Sequence, residues 1–221
     1  MSTNPWTSLP EDRPYVLPHD AKLVAECNRT TRPINRFELQ ILPEPFFGSP
    51  VAPIVTLGLN PGLNMKDYPV HEDPTFIGLS RRSLIHSLAP YPFLHLQPND
   101  DWTPGAVWWR KICRELISDV GIEAVGKGLF HLQYFPYHST ALGQRPPHVP
   151  SQDYSFNLLR LAIERGAEII LMRSANLWFG AVPELASYPK LHVVVNRRRP
   201  FLSRGNLPGY EIIGRRLLSS P

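Results

Sequence analysis

The sequence predicts an α/β fold, a three-layer α/β/α arrangement around a central four-stranded, mostly parallel sheet. Apolar strand-like segments near residues 54, 130, 168 and 192 are separated by helical segments, the pattern of a sheet covered on both faces. The segment from Ala52 to Leu59 is β-branched and apolar on both faces, as a strand buried inside a parallel sheet must be. The 25 prolines avoid residues 105–135 and 151–182, where regular structure is therefore expected.

Residues 1–18 hold four prolines and no apolar period, and read as an extended arm. Asp20 is placed to cap a short helix through about Arg29. Phe37 to Leu42 alternates apolar and polar residues, which predicts a half-buried or edge strand ended by Pro43-Glu44-Pro45. Asn60-Pro61-Gly62 breaks the Ala52–Leu59 strand sharply. A loop over 61–79 follows, with Ser80 expected to cap a helix to about Leu88. Thr103-Pro104 is a hydroxyl N-cap followed by proline at the first helical position. Trp108, Ile112 and Leu116 then share a helical face, and Gly121 is placed to end it. Leu129 to Phe135 predicts a strand, Ser151 to Arg165 a helix, and Ala167–Met172 and Leu191–Val195 two more strands. One domain over 46–221 with an N-terminal extension over 1–45 packed on it is the expected organisation.

At 221 residues the chain can bury a sizeable core, and 43% hydrophobic with 19% charged residues is a globular composition. The net charge of +4 is unevenly placed. From Lys190 onward seven basic residues face one acid, Glu211, while the preceding residues are slightly acidic. A uniformly basic coat is thereby excluded, and a single anionic contact site is favoured. Cys27 and Cys113 are too few for a four-cysteine zinc site or an iron–sulfur cluster. They also make no disulfide framework, so a cytoplasmic setting is expected. No basic stretch followed by an apolar run opens the chain, and no segment approaches the ~18 apolar residues of a membrane span. A monomer without membrane contact is the expectation.

In parallel sheets ligands bind outside the carboxyl ends of the strands. That places Asn60-Pro61-Gly62, Gln133 to His138, Arg173-Ser174 and Asn196 to Asn206 together as site candidates. Gly58-Leu59-Asn60-Pro61-Gly62 carries glycine for close approach, proline to fix φ, and an asparagine displayed at the strand tip. The other reading of this asparagine is a turn residue that caps the next helix. His71-Glu72-Asp73 is read as a solvated loop and no metal or other cofactor is expected. Arg197, Arg198, Arg199 and Arg204 surround Pro200-Phe201-Leu202. Guanidinium groups bind phosphates bidentately, and an apolar tip between them has the composition of a wedge that enters a base stack. Asn196 opens this loop, and Ser203 adds a hydroxyl donor.

The Gly58–Gly62 segment at the end of the first parallel strand resembles motif one of the uracil-DNA glycosylase superfamily. It is most similar to the mismatch-specific and single-strand-selective branch that carries asparagine there. The resemblance extends over about 52–215, with the last strand running into the loop where the family places motif two. There this chain reads Asn196-Arg197-Arg198-Arg199-Pro200-Phe201-Leu202-Ser203, without the family's usual histidine. The resemblance implies a base-excision enzyme that hydrolyses the N-glycosidic bond of a uracil-type or other damaged base flipped out of single- or double-stranded DNA. The departure at motif two implies a substrate other than plain uracil, or weak activity. By the same resemblance, Asn60 orients the attacking water, Phe76 (or in its place Tyr68) stacks on the base, and Gln133 reads its edge. His138 is a candidate donor to base or phosphate. A non-catalytic nucleic-acid-binding protein and a hydrolase of free nucleosides or nucleotides are the alternatives.

Overall fold

The computed structural model describes residues 3–98, 102–142 and 146–219. Along the chain the elements are α1 (Ala21–Thr30), β1 (Phe46–Gly48), β2 (Ile54–Leu57), α2 (Asp67–Val70), α3 (Pro74–Leu84), α4 (Pro104–Ile112), α5 (Arg114–Val120), α6 (Ile122–Gly128), β3 (Leu129–Leu132), α7 (Gln152–Glu164), β4 (Glu168–Leu171), α8 (Ala175–Ala181), β5 (Leu191–Val193) and α9 (Tyr210–Leu218). The class is α/β. The strands form one sheet in the order β1-β3-β2-β4-β5, in which β3, β2, β4 and β5 run parallel and β1 is antiparallel to β3.

The predicted four strands are thus joined by a fifth, and the sheet is mixed. The fifth is Phe46–Gly48, not the 37–42 segment, which makes only an isolated bridge from Glu38 to His138. The alternation there serves side chains rather than a ladder. Gln40 N–H donates to Glu38 Oε1 and Leu42 N–H donates to Nδ1 of His71. Gly48, at φ 102°, ends β1 against β3, where an added Cβ would collide with the Leu129 carbonyl oxygen and press on Phe130 Cα. Gly48→Ala is expected to cost about 1–3 kcal/mol, read as a lower thermal midpoint. An unchanged midpoint would mean the β1–β3 contact adjusts freely.

Every residue of β2, β3 and β4 is buried, and their side chains alternate between two cores as a pleated strand requires. Val55, Leu57, Phe130, Leu132, Ile169 and Leu171 face one core, with Phe156 and Leu159 of α7 and Trp178 of α8. Ile54, Leu129 and Ile170 face the other, with Trp109 and Ile112 of α4, Leu116 of α5 and Ile213 and Leu217 of α9. Two polar residues interrupt the second face near the carboxyl ends. They are Thr56 and His131, joined by a 2.8 Å hydrogen bond between Thr56 Oγ1 and His131 Nδ1.

The first core also takes Trp6, Leu9, Leu17, Val24 and Phe37 from the N-terminal segment. Asp20 is fully buried there, accepting from the Tyr137 hydroxyl at 2.8 Å and the Ser151 N–H at 3.0 Å. Helix α4 starts where Thr103-Pro104 predicts, with Thr103 Oγ1 accepting the Ala106 N–H. Helix α3 starts earlier than expected. Asp73 Oδ1 accepts the Phe76 N–H and Pro74 takes the first helical position, while Ser80 lies buried mid-helix.

Candidate active site

A cavity of about 470 Å³ opens at the carboxyl ends of β2, β3 and β4. That volume lies within the usual range for small-molecule sites. Its walls bring together residues expected from the sequence, among them Asn60, Phe76, Gln133, His138 and Arg173.

Asn60 follows β2 and Leu59. Its Nδ2 donates to Pro61 O at 2.8 Å and to Ser139 Oγ at 3.0 Å. Both amide hydrogens are engaged, so the side-chain carbonyl oxygen is the part left to accept. Gly58, two residues earlier, permits the packing beside it: a Cβ there would collide with Gln133 Oε1 and press on the His131 ring at 2.8 Å. The Gly58 carbonyl accepts the Trp178 indole N–H at 2.8 Å, which ties the strand tip to α8. Oε1 of Gln133 is buried and meets no hydrogen-bond partner in good geometry among the described residues. Phe76, at the start of α3, is buried edge-on to His71 with ring centroids 5.0 Å apart.

His138 is buried, with Nδ1 2.6 Å from the Gly62 carbonyl. A carbonyl only accepts, so Nδ1 carries the hydrogen and Nε2 of the neutral ring is an acceptor. That Nε2 is buried without a partner among the described residues. His71 is also buried, which corrects the solvated-loop reading of His71-Glu72-Asp73. Burial first, then His138, pushes His71 down to about 3, against the opposing pull of Glu44. Burial likewise pushes His131 down to about 3, with Gln133 opposing. Burial alone would raise the Glu44 carboxyl. His95, whose Nε2 lies 3.1 Å from Glu44 Oε2, overrides it with help from His138 and His71, and holds the group at about 2. The cavity floor therefore contains a carboxylate held well below its usual range beside His71 and His131, whose charged forms burial disfavours. No metal was expected, yet Glu44, His71 and His138 place one potential ligating atom each within 4.8 Å of one another.

Other expected residues lie elsewhere. Tyr68 is outside the cavity wall, its hydroxyl donating to Glu38 Oε2 at 2.7 Å. Leu202, expected as part of a wedge, is fully buried in the second core, its N–H donating to Ile112 O. Phe201 is partly buried against the same core. The apolar pair is a hinge pin for the loop rather than an exposed tip. Arg204, expected to grip phosphate, is held by Asp119 at 2.7 Å and Glu211 at 3.2 Å, over the Tyr210 ring. Asn196 closes the loop internally: its Oδ1 accepts the N–H groups of Arg198 and Arg199, and its own N–H donates to Asn206 Oδ1. Ser203 is half-buried, its carbonyl accepting from Asn206 and Leu207 N–H. Arg197, Arg198 and Arg199 remain exposed and make no ion pair among the described residues.

Sequence reasoning missed Glu44, His71, His95 and His131 in the floor and Trp108 and Trp109 in the walls, whereas Arg173, a candidate from its place after a strand, does line the cavity. The helical stripe assigned Trp108 to the core, but it is 38% exposed while Trp109 is buried, their rings edge-to-face at 4.9 Å. The one available signal for the floor was His131 inside the otherwise apolar Leu129–Leu132 strand. No family model matches the chain, and no curated protein or solved structure matches it at a significant level.

Proposed function

We propose that the protein hydrolyses the N-glycosidic bond of a base turned out of a DNA strand into the cavity beside Asn60. The observation that carries this reading is the fixed Asn60 amide. With both hydrogens held by Pro61 and Ser139, its oxygen is a preorganised acceptor at the carboxyl end of the central strand. Such a group orients a water and favours the positive charge that develops on the sugar as the bond breaks. An amide is no strong base, so positioning and electrostatics supply the effect. The parallel run β3-β2-β4-β5, with Asn60 at the tip of β2, supports a uracil-DNA glycosylase-like arrangement. Phe76 and the half-exposed Trp108 supply aromatic surface for the extruded base.

Arg197, Arg198, Arg199 and the exposed Arg173 at the cavity wall supply backbone contacts. With Leu202 in the core and Phe201 packed against it, the Phe201-Leu202 pair offers no wedge to fill a duplex, which favours single-stranded substrate. Arg198→Ala is expected to weaken binding of a single-stranded oligonucleotide and to flatten the salt dependence of log K by about 0.7. An unchanged slope would remove Arg198 from the interface.

The reading is tested by incubating the protein with end-labelled oligonucleotides, single- and double-stranded, followed by alkaline cleavage of abasic sites. The panel carries uracil, hypoxanthine, xanthine, mismatched thymine and modified cytosine or adenine. Release of a base supports the reading. Binding without release from any member assigns a non-catalytic role, and release from mononucleotides regardless of oligonucleotide length assigns a nucleotide hydrolase.

A further inference from the structure

The cavity floor holds three groups that water positioning by Asn60 does not use. Atoms of Glu44, His71 and His138 lie within 4.8 Å of one another, yet none of these side chains hydrogen-bonds to another. The space between them suits one small occupant, either a divalent cation or the amino group of an organic ligand.

His71 decides between them. Its Nδ1 accepts the Leu42 N–H at 3.1 Å, so its Nε2 carries the ring hydrogen. A metal needs a nitrogen lone pair, and a ligating histidine ordinarily turns its other N–H toward an acceptor. His138 is arranged that way, with Nδ1 on the Gly62 carbonyl; His71 is arranged the opposite way. Without His71 only Glu44 and His138 remain, fewer than the three protein ligands of catalytic zinc sites.

An amino group uses all three as they stand. Its two hydrogens meet the Glu44 carboxylate and the His138 Nε2 lone pair, and an adjacent ring lone pair of the ligand accepts from His71 Nε2–H. The buried Gln133 Oε1, beside the His131 ring, adds another acceptor in the same cavity. We propose that the site selects a nucleobase bearing an exocyclic amino group next to a ring-nitrogen lone pair, of the cytosine or adenine type, over its oxo counterpart. An oxo base would set a carbonyl oxygen against the Glu44 carboxylate and leave His138 unpaired. The proposal rests on the reading of the cavity as a base pocket and names the class of base it takes.

Calorimetric titration with free nucleosides in the presence of EDTA tests it, using two pairs that differ by amino against oxo: cytidine with uridine, and adenosine with inosine. The amino member is expected to bind at least about tenfold more tightly, the worth of a charge-assisted hydrogen bond. In Glu44→Gln, which still accepts from His95, that ratio is expected to fall toward one. Equal or reversed affinities within the pairs overturn the proposal, as does failure of all four nucleosides to bind. A stoichiometric Zn²⁺ site that vanishes in both Glu44→Gln and His138→Gln also overturns it, since the three groups then serve a cation. The wild-type comparison stands even if a variant does not fold. Base release from oligonucleotides together with uridine binding as well as cytidine sinks this inference and spares the glycosylase reading. Amino preference with no release from any oligonucleotide does the reverse.

Discussion

Asn60→Ala is expected to lower base release by about 10²–10³-fold, the loss found when one preorganised group facing a developing charge is removed. Binding of the same oligonucleotide is expected to stay within about twofold, because in the proposed function the backbone contacts come from the arginines, and in the proposed base selection the floor contacts come from Glu44, His71 and His138. The division follows from the local geometry. Both Asn60 hydrogens are held, by Pro61 O and Ser139 Oγ, which leaves its oxygen as the accepting atom. Ser139→Ala removes one of the two holds and leaves the other, so a smaller loss of about tenfold is expected, again without a change in binding. Single-turnover release and equilibrium binding, measured on both variants, check this. If binding falls in step with release in Asn60→Ala, the residue is a binding group and the water-positioning role is wrong.

Acidification from pH 7.5 to 5 is expected to destabilise the fold steeply. Burial pushes His71 and His131 down to about 3 and His86 down to about 4, each from an ordinary value of 6.5. Between pH 6.5 and those values the unfolded chain binds protons that the folded protein refuses, so stability falls as pH falls. At pH 5 the difference approaches roughly 2 kcal/mol per ring. Three rings acting together remove a large share of a typical 5–15 kcal/mol. For a chain of this size that corresponds to a fall of about 10 °C or more in thermal midpoint. Glu44 acts in the same direction lower down: held at about 2 against an ordinary 4.5, it contributes stability above pH 4.5 that is lost as pH falls toward 2. Thermal melts at 0.5-unit steps of pH read the effect. A flat profile from pH 7.5 to 5 would mean that the three rings reach solvent.

Segments whose burial depends on their own pattern were legible in the sequence. Ile54–Leu57, apolar on both sides, is buried at every position, and Thr103-Pro104 opens a helix where its cap chemistry says. Asp73-Pro74 carries the same cap chemistry as Thr103-Pro104, but a stretch dense in Asp, Pro and Gly hid it. Phe46–Gly48 is too short to show a period and lies between Pro45 and Pro50. At the site, Asn60, Gln133, His138 and Arg173 were legible because they follow strands, while Phe76 rested on the family resemblance alone. Glu44, His71 and His95 were not, because only tertiary packing sets a residue between two prolines beside rings from two distant loops. The Arg197–Arg204 loop shows the converse limit. Its composition is the same whether Phe201-Leu202 points outward or inward, and Leu202 N–H on Ile112 O decides the matter.

Phe46 pairs with Leu132, so β1 leaves the ribosome long before the strand it docks against. Leu42 and Glu44, immediately upstream, then have neither the His71 ring locked nor a floor to occupy. β4, which delivers Met172 and Arg173 to the opposite wall, is made later still. A nascent chain halted before residue 132 therefore displays Phe46 and Phe47 without a ladder partner, the kind of segment that chaperones retain. The cavity is thus incomplete until Arg173 has been made, well after its first lining residue, Glu44.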